Sequence, residues 1–215
     1  MQELRRITQE QDIPLIVDEV QTGFGRTGKM FAFNHSGIIP DVIIMSKAIG
    51  GSLPLAIVAY NKHLDVWEPG AHAGSFRGNQ MAMAAGTETI RFIRQHGLVD
   101  RVAVLGERLM HNLKYLKKEH SCIGDVRGLG FMVGVEIVNT EGPLVSGHFP
   151  HDRVKASAIQ KACFLRGLVL ETGGRQSSVL RFMPPLIATE EDINNILCIF
   201  KDALISVACK PRLTY

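Results

Sequence analysis

The sequence predicts an α/β protein, and three observations carry that expectation. Short apolar runs at residues 15–17, 42–45 and 55–60 are continuous rather than alternating, the pattern of strands buried on both faces, as in parallel sheets. Strands of that kind need helices on both sides of their sheet. From Asn79 the apolar spacing changes to the helical period, and helical and strand-like stretches then interleave along the rest of the chain. The expected organisation is an α/β region over residues 1–100 with a mostly parallel sheet, followed by an α+β region over residues 101–215.

Residues 2–11 read as an amphipathic helix, with Leu4 and Ile7 apolar among charges, until Asp12 and Pro14 break the pattern. The strand at 15–17 follows, and the runs at 42–45, directly after Pro40 and Asp41, and at 55–60 supply two more. Met81, Ala82, Met83, Ala84 and Ala85 are strong helix formers, and the helical period continues through Ile90, Phe92 and Ile93 to a break at Gly97. A second helix is expected over 100–119, a strand over 130–138, a helix over 153–166, and short strands at 168–171 and 179–182. Thr189 caps a closing helix, and Glu190, Glu191 and Asp192 suit the positive end of its dipole.

Composition narrows the function classes. With 46% apolar and 21% charged residues over 215 positions, the chain is that of an ordinary soluble protein with a real hydrophobic core. A net charge of +3 gives no electrostatic case for nucleic acid or an anionic membrane as partner. The opening segment lacks the apolar core of a signal peptide, and no apolar run is long enough to span a bilayer. Cys122, Cys163, Cys198 and Cys209 are widely spaced with no CxxC pair, so reduced core thiols are expected rather than disulfides or a zinc site, which fits a cytoplasmic protein.

The chemistry concentrates where strands end. Asp18-Glu19-Val20-Gln21-Thr22-Gly23 follows the first strand, and Ser46-Lys47-Ala48-Ile49-Gly50-Gly51 follows the second. An isolated aspartate after a strand is ordinarily a cap or a turn acid, and a lone lysine is ordinarily solvated. Here both fall at carboxyl ends of strands, where open α/β sheets collect ligands, and two glycines after Lys47 let the backbone pass close to one. The apolar neighbours Ile43, Ile44, Ala48 and Ile49 lead us to expect a buried Lys47. A carboxylate facing an amine is what pyridoxal phosphate requires, an anion to keep the ring nitrogen protonated and an amine to hold the aldehyde covalently. Gly23-Phe24-Gly25-Arg26-Thr27-Gly28 matches a dinucleotide fingerprint in letters only: no apolar helix follows Gly28, and no acid stands at the expected distance, so a glycine-rich loop is expected.

The segments Leu15 to Gly28, Pro40-Asp41, Ser46 to Gly51 and Ser75-Phe76-Arg77-Gly78-Asn79 together resemble the class III aminotransferases, over the whole chain. The resemblance implies the fold of type I pyridoxal phosphate enzymes, with a partial large domain at 1–100 and a carboxyl-terminal small domain at 101–215. It implies that Asp18 pairs with the pyridinium nitrogen, Val20 packs on a ring face, Gln21 reaches the ring hydroxyl, and Lys47 holds the cofactor and shuttles a proton. Ser75 stands where members carry a threonine whose hydroxyl binds the cofactor phosphate of the neighbouring subunit, which implies a homodimer with shared sites. Arg181 matches the position that holds the substrate carboxylate, though alone it also reads as a salt-bridged arginine at the core edge. His35, His63 and His72 read as turn or surface residues. The segment from Trp67 to Gln80 is most similar to the diaminobutyrate–2-oxoglutarate branch; ornithine, acetylornithine and 4-aminobutyrate transaminases share the framework. The implied reaction passes the terminal amino group of a diamino acid to 2-oxoglutarate. The chain is expected to be the carboxyl-terminal half of such an enzyme, with open sheet edges and exposed apolar surface, or a non-catalytic remnant.

Overall fold

The structure, a computed structural model, describes residues 1–207, so Cys209 lies outside the described residues. The chain divides into two compact units, Met1–Arg101 and the residues from Val102 onward.

In the first unit, α1 (Gln2–Glu10) leads to a three-stranded sheet of order β1-β2-β3, built from β1 (Ile16–Asp18), β2 (Val42–Met45) and β3 (Ile57–Tyr60). β1 and β2 are parallel, with Ile16 beside Val42 and Asp18 beside Ile44. β3 runs antiparallel to β2, from Tyr60 beside Val42 to Ile57 beside Met45. Asp41 locks this corner: its carboxylate accepts from Arg5 of α1, from Leu15 N–H at 2.9 Å and from Asn61 Nδ2 at 3.1 Å. The helix α2 (Gln80–Gln95) begins at Asn79, whose side chain accepts from Ala82 N–H and caps it.

The expected burial of these strands on both faces is not what the structure shows. Ile16 is 58% exposed, β2 is half-buried throughout, and every residue of β3 is exposed. The unit has too few elements to cover both faces, and α1 itself leaves Leu4 and Ile7 exposed. An unalternating apolar run reports what a strand is suited to touch, and here those contacts are not filled.

The second unit is an antiparallel sheet of order β4-β5-β7-β6 packed with helices. Its elements are β4 (Ile123–Leu129), β5 (Met132–Ile137), α4 (Arg153–Phe164), β6 (Glu171–Gly173), β7 (Val179–Phe182) and α5 (Glu190–Ser206), preceded by α3 (Leu98–Glu119). Val102, Leu109, Leu113 and Leu116 recur at helical spacing on α3 and are buried with Val133, Val135 and Ile137 of β5. Phe182 of β7 meets Phe200 of α5 edge-on at 5.0 Å. α5 starts with a reciprocal cap, Thr189 accepting from Asp192 N–H and Asp192 accepting from Thr189 N–H. Cys122 and Cys163 are buried, as expected of core thiols, whereas Cys198 is exposed on α5.

Candidate active site

Asp18 closes β1 and Lys47 lies three positions beyond Ile44, the β2 partner of Asp18, so parallel pairing places both at one end of the sheet. Asp18 is held by its own turn: its Oδ1 accepts from Val20 N–H at 2.8 Å. That leaves the second oxygen for another donor.

Lys47 opens a 3-10 turn, Lys47–Gly50, and adopts φ +51°. A side-chain-bearing residue in the left-handed region costs of order 1 kcal/mol and persists only where the surroundings enforce it. Three contacts do so. Ser46 Oγ donates to Leu55 O at 2.9 Å. Gly51, itself left-handed, lies so close to α2 that a Cβ there would fall 2.6 Å from Thr89 Oγ1. Gly86 of α2 lies against the Ile49 carbonyl, where a Cβ would come within 2.2 Å. Sequence inspection missed Gly86 and Thr89; the one visible signal is a glycine inside an otherwise strong helix former run.

The expected burial of Lys47 is not found, since Lys47 and Ala48 are exposed while Ile49 is 4% exposed. Neighbours in sequence point to different sides of a 3-10 turn, so the apolar flanks do not enclose the amine.

Val20 and Gln21 follow Asp18 and are half-buried. The loop from Gly23 to Gly28 is a tight glycine-dependent turn, with φ +91° at Gly25 and +81° at Gly28, and no helix begins there. Ser75 is exposed in a turn that precedes α2, and His35, His63 and His72 are exposed. In the second unit, Arg181 is half-buried on β7 and pairs with Glu171, its register partner on β6, at 3.2 Å. Arg181 thus has the salt bridge of the alternative expectation, with an acid that is itself 71% exposed.

The sequence profile of Aminotransferase class-III matches residues 1–204. The chain belongs to this family. Among class III relatives, the diaminobutyrate–2-oxoglutarate aminotransferase of Rhizobium meliloti (strain 1021) is 54% identical over 194 residues, covering 90% of this chain and 41% of that protein. The diaminobutyrate–2-oxoglutarate aminotransferase of Haemophilus influenzae is 45% identical over 206 residues, covering 95% of this chain and 45% of that protein. The ornithine aminotransferase of Toxoplasma gondii, whose active site holds pyridoxal phosphate at partial occupancy, superposes with a TM-score of 0.84 at 25% identity, covering 96% of this chain and 46% of that one. The chain therefore spans less than half the length of the curated relatives it matches.

The donor set at the end of β1 and β2 fits the cofactor of a class III enzyme. A carboxylate with one oxygen uncommitted and an accessible primary amine share the same end of adjacent strands. Each is the type needed for one end of the ring system.

Proposed function

We propose that this chain carries the lysine-bearing part of the site of a pyridoxal phosphate-dependent aminotransferase. The reaction transfers the terminal amino group of L-2,4-diaminobutyrate to 2-oxoglutarate, giving aspartate 4-semialdehyde and glutamate. The placement of Asp18 and Lys47 at one end of adjacent parallel strands is the observation that carries this reading. The diaminobutyrate assignment is supported by 54%, 45% and 40% identity to enzymes of that name, against 36% and 37% to acetylornithine aminotransferases.

Pyridoxal phosphate, when bound, supplies an electron-withdrawing ring that labilises a proton on the substrate carbon. Asp18 keeps the ring nitrogen protonated by Coulomb attraction, which strengthens as water is excluded. Lys47 Nζ would hold the cofactor and, when free, would take and return the proton at the substrate carbon. Gln21 would donate to the ring hydroxyl and Val20 would pack on a ring face. Ser75 offers its hydroxyl to the phosphate bound by a neighbouring copy, which makes the working form a homodimer. Arg181 binds a substrate carboxylate through its guanidinium fork, and to do so exchanges Glu171 for the substrate. No helix among the described residues is long and apolar enough to cross a membrane, and the cytoplasmic location we propose rests on the cysteine pattern.

The test is borohydride trapping of pyridoxal phosphate on the 215-residue chain, with peptide mapping of the modified lysine. The reading requires Lys47 to be the trapped residue and the visible absorption of the bound cofactor to vanish in Lys47→Ala. A folded chain that traps the cofactor but makes no glutamate from diaminobutyrate and 2-oxoglutarate would be a non-catalytic remnant.

A further inference from the structure

Glu19 is the one acidic side chain among the described residues that is fully buried, at 0% exposure, and it forms no ion pair among them. Burying a carboxylate without a cation is costly unless its oxygens are fully hydrogen-bonded, and a residue that merely filled the space would be cheaper as an apolar side chain. Both oxygens are engaged. Oε1 accepts from Phe33 N–H at 3.0 Å, and Oε2 accepts from the Thr22 hydroxyl. The backbone is fixed as well, with Glu19 N–H donating to Ile44 O at 2.8 Å and its carbonyl accepting from Gly23 N–H at 3.0 Å. A Cβ on Gly23 would meet that carbonyl at 2.9 Å, so glycine lets the return leg come this close.

These bonds bracket two residues. Val20 and Gln21 lie between Asp18, which holds Val20 N–H, and the Glu19 grip on Thr22, Gly23 and Phe33. The far anchor is itself rigid, because Phe33 stacks on Phe31 at 5.4 Å and Phe31 meets the buried Phe24 edge-on at 5.7 Å. We propose that Glu19 is a positioning residue: its buried carboxylate clamps the loop after β1 so that Gln21 and Val20 face the cofactor ring, while Glu19 touches neither cofactor nor substrate. The inference rests on the cofactor site proposed above. Strand alternation gives the arrangement its logic, since neighbouring carboxylates at 18 and 19 point to opposite faces, one accessible and one buried.

The test compares Glu19→Ala, Glu19→Gln, Gln21→Ala and the double variant Glu19→Ala/Gln21→Ala in the full 215-residue chain, with pyridoxal phosphate as probe. Glu19→Gln retains an acceptor for Phe33 and a donor for the Thr22 oxygen, so its Kd should stay within about threefold of wild type. Glu19→Ala should weaken binding about tenfold or more, and most of that loss should disappear in the Gln21→Ala background, because a residue acting through Gln21 has nothing left to position. Without any ligand, amide exchange at Val20, Gln21, Thr22 and Phe33 should accelerate in Glu19→Ala and not in Glu19→Gln. Wild-type Kd or unchanged exchange in Glu19→Ala, equal loss in Glu19→Gln, or full persistence of the loss in the Gln21→Ala background would each overturn the clamp. If Glu19→Ala fails to fold, Thr22→Val severs one arm alone and must show the same exchange acceleration over 20–22. Failure of wild type to trap the cofactor at Lys47 would instead sink the site assignment, and the ligand-free exchange would still decide the clamp.

Discussion

Gly86→Ala puts a number on how the Lys47 turn is held. In an exposed helix interior the substitution stabilises by about 0.5–1 kcal/mol, because alanine loses less conformational freedom. At Gly86 the new methyl would fall 2.2 Å from the Ile49 carbonyl oxygen and 3.5 Å from Leu55 Cδ2. Ordinary carbon–oxygen contact is about 3.3 Å, so α2 and the Lys47–Gly50 turn must part by about 1 Å. Overpacking of this kind costs about 1–3 kcal/mol. Subtracting the propensity gain leaves a net loss of up to about 2.5 kcal/mol, in the direction opposite to the usual effect. The shift falls on the turn that aims the amine, and a displacement of about 1 Å can cost up to a hundredfold in reactivity at a site. Urea unfolding should show a lower midpoint at unchanged slope. Borohydride trapping should fall at least about tenfold at Lys47 while staying constant at the exposed Lys29. Thr87→Ala, on the exposed side of the same helix, is the control and should leave trapping intact. A Gly86→Ala chain that is more stable than wild type, with Lys47 trapped as before, would refute the packing argument.

Asp41→Ala removes the acceptor of the buried Leu15 N–H together with the Arg5 and Asn61 contacts, and should cost about 2–3 kcal/mol in urea melts. The Arg5 guanidinium and the Leu15 N–H hold the Asp41 carboxyl below its ordinary value of 3.8, so its contribution is complete above that pH and is lost as pH falls through the lower folded value. Acid melts of wild type should therefore steepen below about pH 4, and Asp41→Asn should flatten that limb. Glu171→Gln frees Arg181 from an exposed ion pair worth about 0–1 kcal/mol, so affinity for 2-oxoglutarate should rise by up to about fivefold in calorimetry and fall in Arg181→Lys; no change in either would remove Arg181 from carboxylate binding. Burial pushes the Cys163 thiol up to about 11, so iodoacetamide at pH 8 should modify the exposed Cys198 well before Cys163, as read by peptide mapping.

Much of the fold follows from local pattern. The strand at Val42–Met45 opens on three consecutive β-branched residues, that at Val179–Phe182 is bounded by a β-branched and an aromatic residue, and the helix caps at Asn79 and Thr189 are written in side chains that bond their own backbone. β4 escaped because a register shift between Ile123 and Asp125 breaks its alternation, and Gly124 and Gly128 dilute the apolar signal. Gly128 needs φ +142° and would clash with the Met132 carbonyl if it carried a side chain, a constraint set by the hairpin and not by its neighbours in sequence.

By itself the amino-acid order determined most of the element types, the motif run from Asp18 to Gly23, and the lysine segment, because hydrophobic period, capping and turn chemistry act within a few residues. Tertiary structure decided what depends on elements far apart: that β1 and β2 run parallel so Asp18 and Lys47 share one end, that Glu19 rather than Lys47 is the buried charge, and that a glycine thirty-nine positions beyond Lys47 supports its turn. Burial and close approach are properties of what packs against a residue, and nothing adjacent in the chain encodes them.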